Sequence, residues 1–487
     1  MHQGLSFSTL PDVMQFDDAS SDGSQYSGGR DASRYSLDDD LTLHNDQENL
    51  GQFATEAFVE SAWREAMDSE IRDTKVLDLI ELHLSPESIG FLLDQVSQVP
   101  PKERLEGLTL DSCTFVESDG DGDVIALLSQ FIRQNRQSLK EICLEGNDYQ
   151  LTDNGILYLN EYMLDPIVRL LPQMRTMSLR LTYWNCSEPR TKQSWCGLFR
   201  YLEGSSTCNV TKFSISRPRL TTDCLDVMSS SLAHSSGLKV LSFTGCDLRD
   251  SGTKQLMGCL ACSRNCLSCV SLSHNNLSIE SLESIACLLD GQVGLKRLSL
   301  GGNNHLFQFK AEDTDKGIIG LERFSNSLTD HSSLMELFME HCGLTSESMS
   351  TICRALERNH SLQTLFIWDN FDLRVGDWVQ SLPNLVLKHL HVSTCLRLDS
   401  DEDRVALLQN LWMNTSLTLC DVEDDEVPGI ILRNEYLRRI DVLCALPHLP
   451  ISFWSQLLDK AGSIQGGQSL IFNFLRQSVQ DLAAVTA

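Results

Sequence analysis

The sequence predicts an α/β solenoid, and two observations predict it. The first is a recurring string. Residues 267 to 277 read L-S-C-V-S-L-S-H-N-N-L, with apolar Leu267, Val270, Leu272 and Leu277 around a polar Asn275. The same spacing returns downstream at Leu295, Leu298, Leu300 and Asn303, and upstream at Leu238, Leu241, Phe243, Cys246 and Leu248. The second is the period. These units begin 28 or 29 residues apart, which is room for one short strand and one helix. In a strand alternate side chains point to opposite faces, so the leucines enter a core and the residues between them form an open wall. A single unit cannot bury its apolar face, so the units must stack.

Taken in order, residues 1–48 are rich in Ser, Asp and Gly and poor in branched apolar residues. Such a segment buries too little surface to offset its ordering entropy, so it is expected to be a disordered acidic tail. Ser33 and Ser36 there have the local charge of kinase sites. Residues 49–75 change character. Phe53, Ala57, Val59, Ala62, Trp63, Ala66 and Ile71 recur at helical spacing and predict a helix capping the first repeat. The repeats are assigned to 76–425. A degenerate opening unit is placed on Leu79, Leu82 and Leu84, followed by Ser85-Pro86, a helix-start signal, and an apolar run to Val96 stopped by Pro100 and Pro101.

Better units start at Leu105, Leu139, Met174, Val210, Leu238, Leu267, Leu295, Leu334, Leu362 and Leu387, at intervals of 34, 35, 36, 28, 29, 28, 39, 28 and 25. Val210 opens a degenerate unit with Pro218 where Asn is expected, and the longest interval holds an insertion after Asn303 with Phe307 and Phe309. The loops holding those rings, and Trp184 and Trp195, are candidates for contact or for local packing. Leu417 and Leu419 suggest a last strand, and Asp421 to Glu426 an acidic loop. Residues 426–487 are expected to form a helical cap.

The string L-x-x-L-x-L-x-x-N/C-x-L, alternating with helices, resembles the ribonuclease-inhibitor-like class of leucine-rich-repeat proteins over about residues 76–420. The resemblance implies a leucine-rich-repeat solenoid shaped as a curved horseshoe, with parallel strands inside and helices outside. It also implies protein ligands held by the inner face and loops. The stretch Pro450 to Arg476, with Lys460-Ala461, is similar to the closing segment of the large diatom leucine-rich-repeat families. In that comparison Ile430 to Leu437 takes the place of an apolar strand.

Charge and cysteine content narrow the function. The chain has 487 residues and a formal charge of −28. Nucleic acid and anionic membrane both require a basic footprint, so neither is expected as a partner. A basic protein or peptide is compatible with that charge. The 17 cysteines are scattered at repeat positions rather than set in a framework, and the first residues lack a basic n-region and apolar run. These features predict an intracellular protein, cytoplasmic or nuclear, with free thiols, and a monomer.

No reaction is legible. No phosphate-binding glycine loop, zincin helix or nucleophile elbow occurs. Asp119, Asp121 and Asp123 imitate a calcium loop, but its sixth and twelfth positions hold Val124 and Gln130 instead of Gly and Glu. Cys259, Cys262, Cys266 and Cys269 have metal-like spacing, yet the register splits them between a helix, a turn and a strand. Structural thiols are the better reading, and no cofactor, metal or catalytic residue is expected.

The register itself nominates a site. Wall positions from Val240, Ser242 and Thr244 to Ser271, Ser273 and Ser299 are small. The later ones are Glu336, Phe338 and Glu340, then Thr364, Phe366 and Trp368, then His389, His391 and Ser393, with His341 and Asp369 beside them. Rings among charges suit a protein or peptide. The expected protein-binding residues are therefore Glu336, Phe338, Glu340, Phe366, Trp368, His389 and His391, on a non-enzymatic interaction scaffold. Two rivals share the fold: a Ran-type GTPase activator, tested by GTPase turnover, and a ubiquitin-ligase substrate receptor, tested by copurification of an adaptor.

Overall fold

A computed structural model describes residues 57–67 and 75–444, apart from 102, 117–123, 146, 151–155, 175, 183–188, 204–207, 218–219, 264–265, 310–313, 372 and 394–399. The expected acidic tail, the Asp119–Asp123 triplet, Trp184, Pro218 and the stretch compared with the diatom segment lie outside the described residues.

Among the described residues twelve strands form one parallel sheet in chain order. They are β1 (Val76–Ile80), β2 (Gly107–Asp111), β3 (Glu141–Glu145), β4 (Ser178–Thr182), β5 (Lys212–Ser216) and β6 (Val240–Thr244). Then come β7 (Cys269–Ser271), β8 (Arg297–Ser299), β9 (Glu336–Phe338), β10 (Thr364–Phe366), β11 (His389–His391) and β12 (Leu419–Cys420). Each crossover carries a helix or a 3₁₀ turn, as parallel neighbours require. The register aligns the leucine string across the sheet: Leu241 pairs with Val270, Val270 with Leu298, Leu298 with Leu337, Leu337 with Leu365 and Leu365 with Leu390. Leu272, Leu300 and Leu365 are fully buried, as the repeat requires. Each such leucine contributes roughly 1.5–3 kcal/mol by leaving water. The chain is therefore an α/β leucine-rich-repeat solenoid.

The Asn or Cys of each string closes the turn after the strand. Asn303 accepts from the backbone N–H of Asn275 at 2.8 Å and donates to the carbonyl of Leu272 at 3.1 Å. Asn275 does the same for Cys246 and Phe243, and Asn370 for Cys342 and Met339. Cys342, in the Asn position, donates its thiol to the Leu300 carbonyl at 3.2 Å, a weaker version of the same link. The residue just before this position takes a left-handed backbone: His274 at φ 58°, Gly302 at 71°, His341 at 50° and Asp369 at 56°.

A second polar ladder at the helix-to-strand corner is absent from the sequence reading. Asn359 accepts from Leu362 N–H at 2.8 Å and donates to the carbonyls of Leu328 and His331. Asn414 repeats this with Leu417, Leu382 and Leu385. Gln292 and His331 stand in the same corner and bond Leu267 and Leu334. The signal was legible: a polar Asn, Gln or His three residues ahead of the first leucine of a unit.

Three expectations are corrected. The opening unit runs through Leu77 and Leu79, and Leu82 takes the Asn position, because β1 aligns Leu77 with Leu108 and Leu79 with Leu110. Trp195 lies in a helix, Pro189–Glu203, and is wholly buried against Phe199 rather than held in a loop. Residues 430–437 are helical, within Val427–Cys444, where Ile430 packs into the core. A small second sheet, His83–Leu84, Thr114–Val116, Asp148–Gln150 and Ile156–Tyr158, was not anticipated. Helix 57–67 buries Val59, Trp63 and Ala66 while Ala57 stays exposed. Ser85 caps its helix, accepting from Ser88 N–H at 3.3 Å with Pro86 in the first turn.

Candidate functional site

Because the strands are in register, the wall-facing residues fall into rows that cross the sheet. Three rows meet over β8 to β12. In the middle row the rings of Phe338, Phe366 and His391 are stacked on one another. Phe338 and Phe366 lie 4.2 Å apart at an interplanar angle of 8°, and Phe366 and His391 4.2 Å apart at 4°. The inter-strand spacing of a sheet is close to the thickness of a stacked ring, so identical rotamers on adjacent strands produce a ladder.

Charged groups close both ends of the ladder. The Arg297 guanidinium sits 5.6 Å from the Phe338 centroid. At the far end His391 Nδ1 is 3.1 Å from Asp421 Oδ2, and Asp421 Oδ1 accepts from the backbone N–H groups of Val392 and Ser393 at 2.6 and 3.0 Å. Burial works to raise the Asp421 carboxyl. The hydrogen bonds from His391 and Val392 outweigh it and hold the group below the usual carboxylate range.

The flanking rows are polar. On one side Arg297 pairs with Glu336 at 2.6 Å, and Thr364 meets His389 Nδ1 at 3.3 Å. Burial pushes His389 below the usual histidine range, and the neighbouring charges of His391 and Lys388 add to the effect. On the other side lie Glu340, Trp368 and Ser393. A side chain at Gly301 would collide with the Glu340 carboxylate, so this glycine lets Glu340 lie across β8's turn. Gly302, left-handed, likewise leaves room for the His274 ring. His341 meets Phe371 edge-on at 6.2 Å.

All seven nominated residues thus stand on one face over β9 to β11. The register alone left their exposure open. Phe338, Phe366 and Trp368 are half-buried, and for Phe338 and Phe366 the stacked rings cover one another's faces. Two residues escaped the sequence reading. Arg297 follows from β8's row position, and Asp421 was assigned to a solvated acidic loop. Of the rest of that loop Glu423, Asp425 and Glu426 are exposed, while Asp424 is half-buried and accepts from Arg404, as Glu426 also does.

Upstream, the same face carries hydroxyls. Ser242 bonds Thr244 at 3.2 Å, Ser271 bonds Ser273 at 3.3 Å, and Ser273 bonds Ser299 at 2.7 Å. Cys269 opens β7 in the row of Arg297 and is buried, with its thiol pushed up to about 11 by desolvation. Cys262 and Cys266 are exposed and Cys259 half-buried. Among the described residues no three His, Cys, Asp or Glu side chains converge as a metal site, and no helix is long and apolar enough to cross a membrane.

No family model matches the chain. Pig ribonuclease inhibitor is 24% identical over 322 residues, covering 61% of this chain and 66% of that protein. Mouse centrosomal protein of 78 kDa is 30% identical over 146 residues, which is 30% of this chain and 16% of that protein. The chain thus spans less than two thirds of both relatives. Among solved structures, the yeast Rad7–Elc1 complex aligns with 70% of this chain and 74% of that chain, at 15% identity and a TM-score of 0.42. The Legionella pneumophila leucine-rich-repeat protein LegL7 aligns with 72% of this chain and 97% of that chain, at 16% identity and a TM-score of 0.38. The chain has ribonuclease-inhibitor-like leucine-rich-repeat architecture.

Proposed function

We propose that the chain is a non-enzymatic scaffold that holds a protein or peptide on the open face of its sheet, over Glu336, Phe338, Glu340, Phe366, Trp368, His389 and His391. The observation that carries this reading is the ring ladder. Three rings already fixed against one another lose little further freedom on binding. Their outward edges, with Trp368 beside them, offer a contact that is apolar at its centre and polar at its rim. Glu336, Glu340, Asp369 and Asp421 around the ladder favour a basic segment of the partner. The cysteines of the described residues are free thiols, several of them fully buried, which fits an intracellular setting.

The test is capture from native cells by the full chain, by F366A/W368A, and by S242A/S271A on the hydroxyl side, with matched circular dichroism. Loss of specific partners only in F366A/W368A is expected. Equal capture by all three would remove the assignment.

A further inference from the structure

The opposite side of the solenoid carries a second surface. The inserted repeat gives a long helix, Thr314–Asp330, followed by the shorter helix Ser346–Leu356. Two glycines set how the long helix sits. A side chain at Gly317 would stand 2.9 Å from Ile279 Cδ1, and one at Gly320 3.4 Å from the Ile279 carbonyl. The helix therefore leans onto the preceding unit, and a groove opens on its other flank toward Ser346–Leu356. This cavity is about 450 Å³ and has Phe309, Ile318, Leu321 and Ala355 as its apolar lining. Ile318 is 39% exposed and its neighbour Ile319 60%.

Two further features say what the groove would take. All strands of the sheet run parallel, so the helices between them share one direction. Glu347 then lies at the end of the groove near Ile318, with Glu322 one turn further along the long helix, while Arg354 and Arg358 lie at the other end. Ser325 lines the groove between them. It is 5% exposed, and its hydroxyl has no hydrogen-bond partner among the described residues. A buried hydroxyl without a partner is unfavourable, so an occupant that supplies one gains affinity there.

We propose that this groove binds an amphipathic helix of a partner protein. The helix lays an apolar stripe along Ile318 and Leu321, interrupted by one hydrogen-bonding side chain opposite Ser325. Its acidic end lies over Arg354 and Arg358 and its basic end over Glu347. The site is independent of the ring ladder and lies on the other side of the sheet.

The probe is a fluorescein-labelled 16-residue helical peptide with a leucine stripe, a central glutamine, two glutamates at one end and two lysines at the other. Anisotropy is read against the full chain. R354E/R358E is expected to weaken binding by about tenfold, and a peptide with its central part kept and its glutamates replaced by lysines to restore it. S325A weakens it by a smaller factor, I318E abolishes it, and F366A/W368A leaves it unchanged. A benzophenone side chain at Ile319 cross-links to the peptide. Failure of the peptide to bind, indifference to R354E/R358E, or benzophenone adducts to this chain itself or to a second copy would each overturn the proposal.

Discussion

The open face of the sheet has two halves built on one backbone register. Over β6 to β8 the wall is Ser242, Thr244, Ser271, Ser273 and Ser299, and these hydroxyls bond one another. Over β9 to β11 the row of Ser242, Ser271 and Ser299 continues as Phe338, Phe366 and His391, and these rings stack. The core behind both halves is equivalent, with Val270, Leu298, Leu337 and Leu365 all fully buried. The repeat thus fixes where a wall side chain stands but not what it contributes. A hydroxyl strip exchanges bonds with water at nearly equal free energy, so covering it yields little. A ring row has apolar edges and a fixed shape, and covering it yields more. The binding capacity of the face is therefore concentrated in one half.

The largest expected effect breaks the ring half at its centre. Phe366 is stacked on both sides, so F366A removes two ring contacts at once. Each is worth roughly 0.5–1.5 kcal/mol, giving a loss of about 2 kcal/mol for the half-buried ring. S271A, two strands from Phe338 and in the same row, is expected to cost less than ~1 kcal/mol. Urea unfolding of both variants, read as midpoint shifts at constant slope, compares the halves directly. Equal shifts would mean that the stack adds nothing beyond a small polar side chain.

Much of this contrast was legible in the sequence, and the limit of legibility is physical. Alternation and period place Phe338, Phe366 and His391 on adjacent strands at equivalent positions, because a solenoid turns sequence spacing into spatial neighbours. The rotamers that stack the rings are set by tertiary contact and carry no sequence signature. Arg297 was missed because its row was read as small residues only. Asp421 was missed because it lies just past a two-residue strand, where an acidic run looks like solvated loop. The register error at Leu79 has the same kind of cause: in L-D-L-I-E-L-H-L the leucines stand at 77, 79, 82 and 84, so both 77/79 and 82/84 offer the L-x-L of the string, and strand pairing, not pattern, selects the alignment. Trp195 was misplaced because the apolar periodicity of its helix is masked by the polar residues that precede it.

A smaller effect sharpens the comparison through pH. The ring half contains His389, and the corner ladder behind it contains His331. Burial lowers both below the usual histidine range. The folded state therefore binds fewer protons than the unfolded chain, and stability falls as pH drops through and below about 6.5. His331 has a structural reason for staying neutral. Its Nδ1 accepts from Leu334 N–H at 3.1 Å and Ser333 N–H at 3.3 Å, which a proton there would break. H331N is expected to fold, since Asn359 and Asn414 perform the same corner role. It should flatten the loss of stability between pH 7 and 5, as should H389Q. Substituting Ser271 should leave that profile unchanged. A profile as steep in H331N as in the parent protein would assign the acid sensitivity elsewhere.

The smallest effect tests whether the hydroxyl half is one network or a set of separate side chains. Ser273 is the node, 3.3 Å from Ser271 and 2.7 Å from Ser299, and it is 9% exposed. S273A alone should cost roughly 0.5–1 kcal/mol, because it leaves two neighbours short of a partner in a poorly hydrated place. S299A alone should cost less, since Ser273 keeps Ser271. Once Ser273 is alanine, the remaining hydroxyls have little left to lose, so S273A/S299A should cost less than the sum of the singles. A double-mutant cycle measures that shortfall as the coupling across the strip. Strict additivity would show that the hydroxyls are each solvated on their own. The contrast with the stacked rings would then be one of polarity alone, rather than of two differently connected surfaces on a common register.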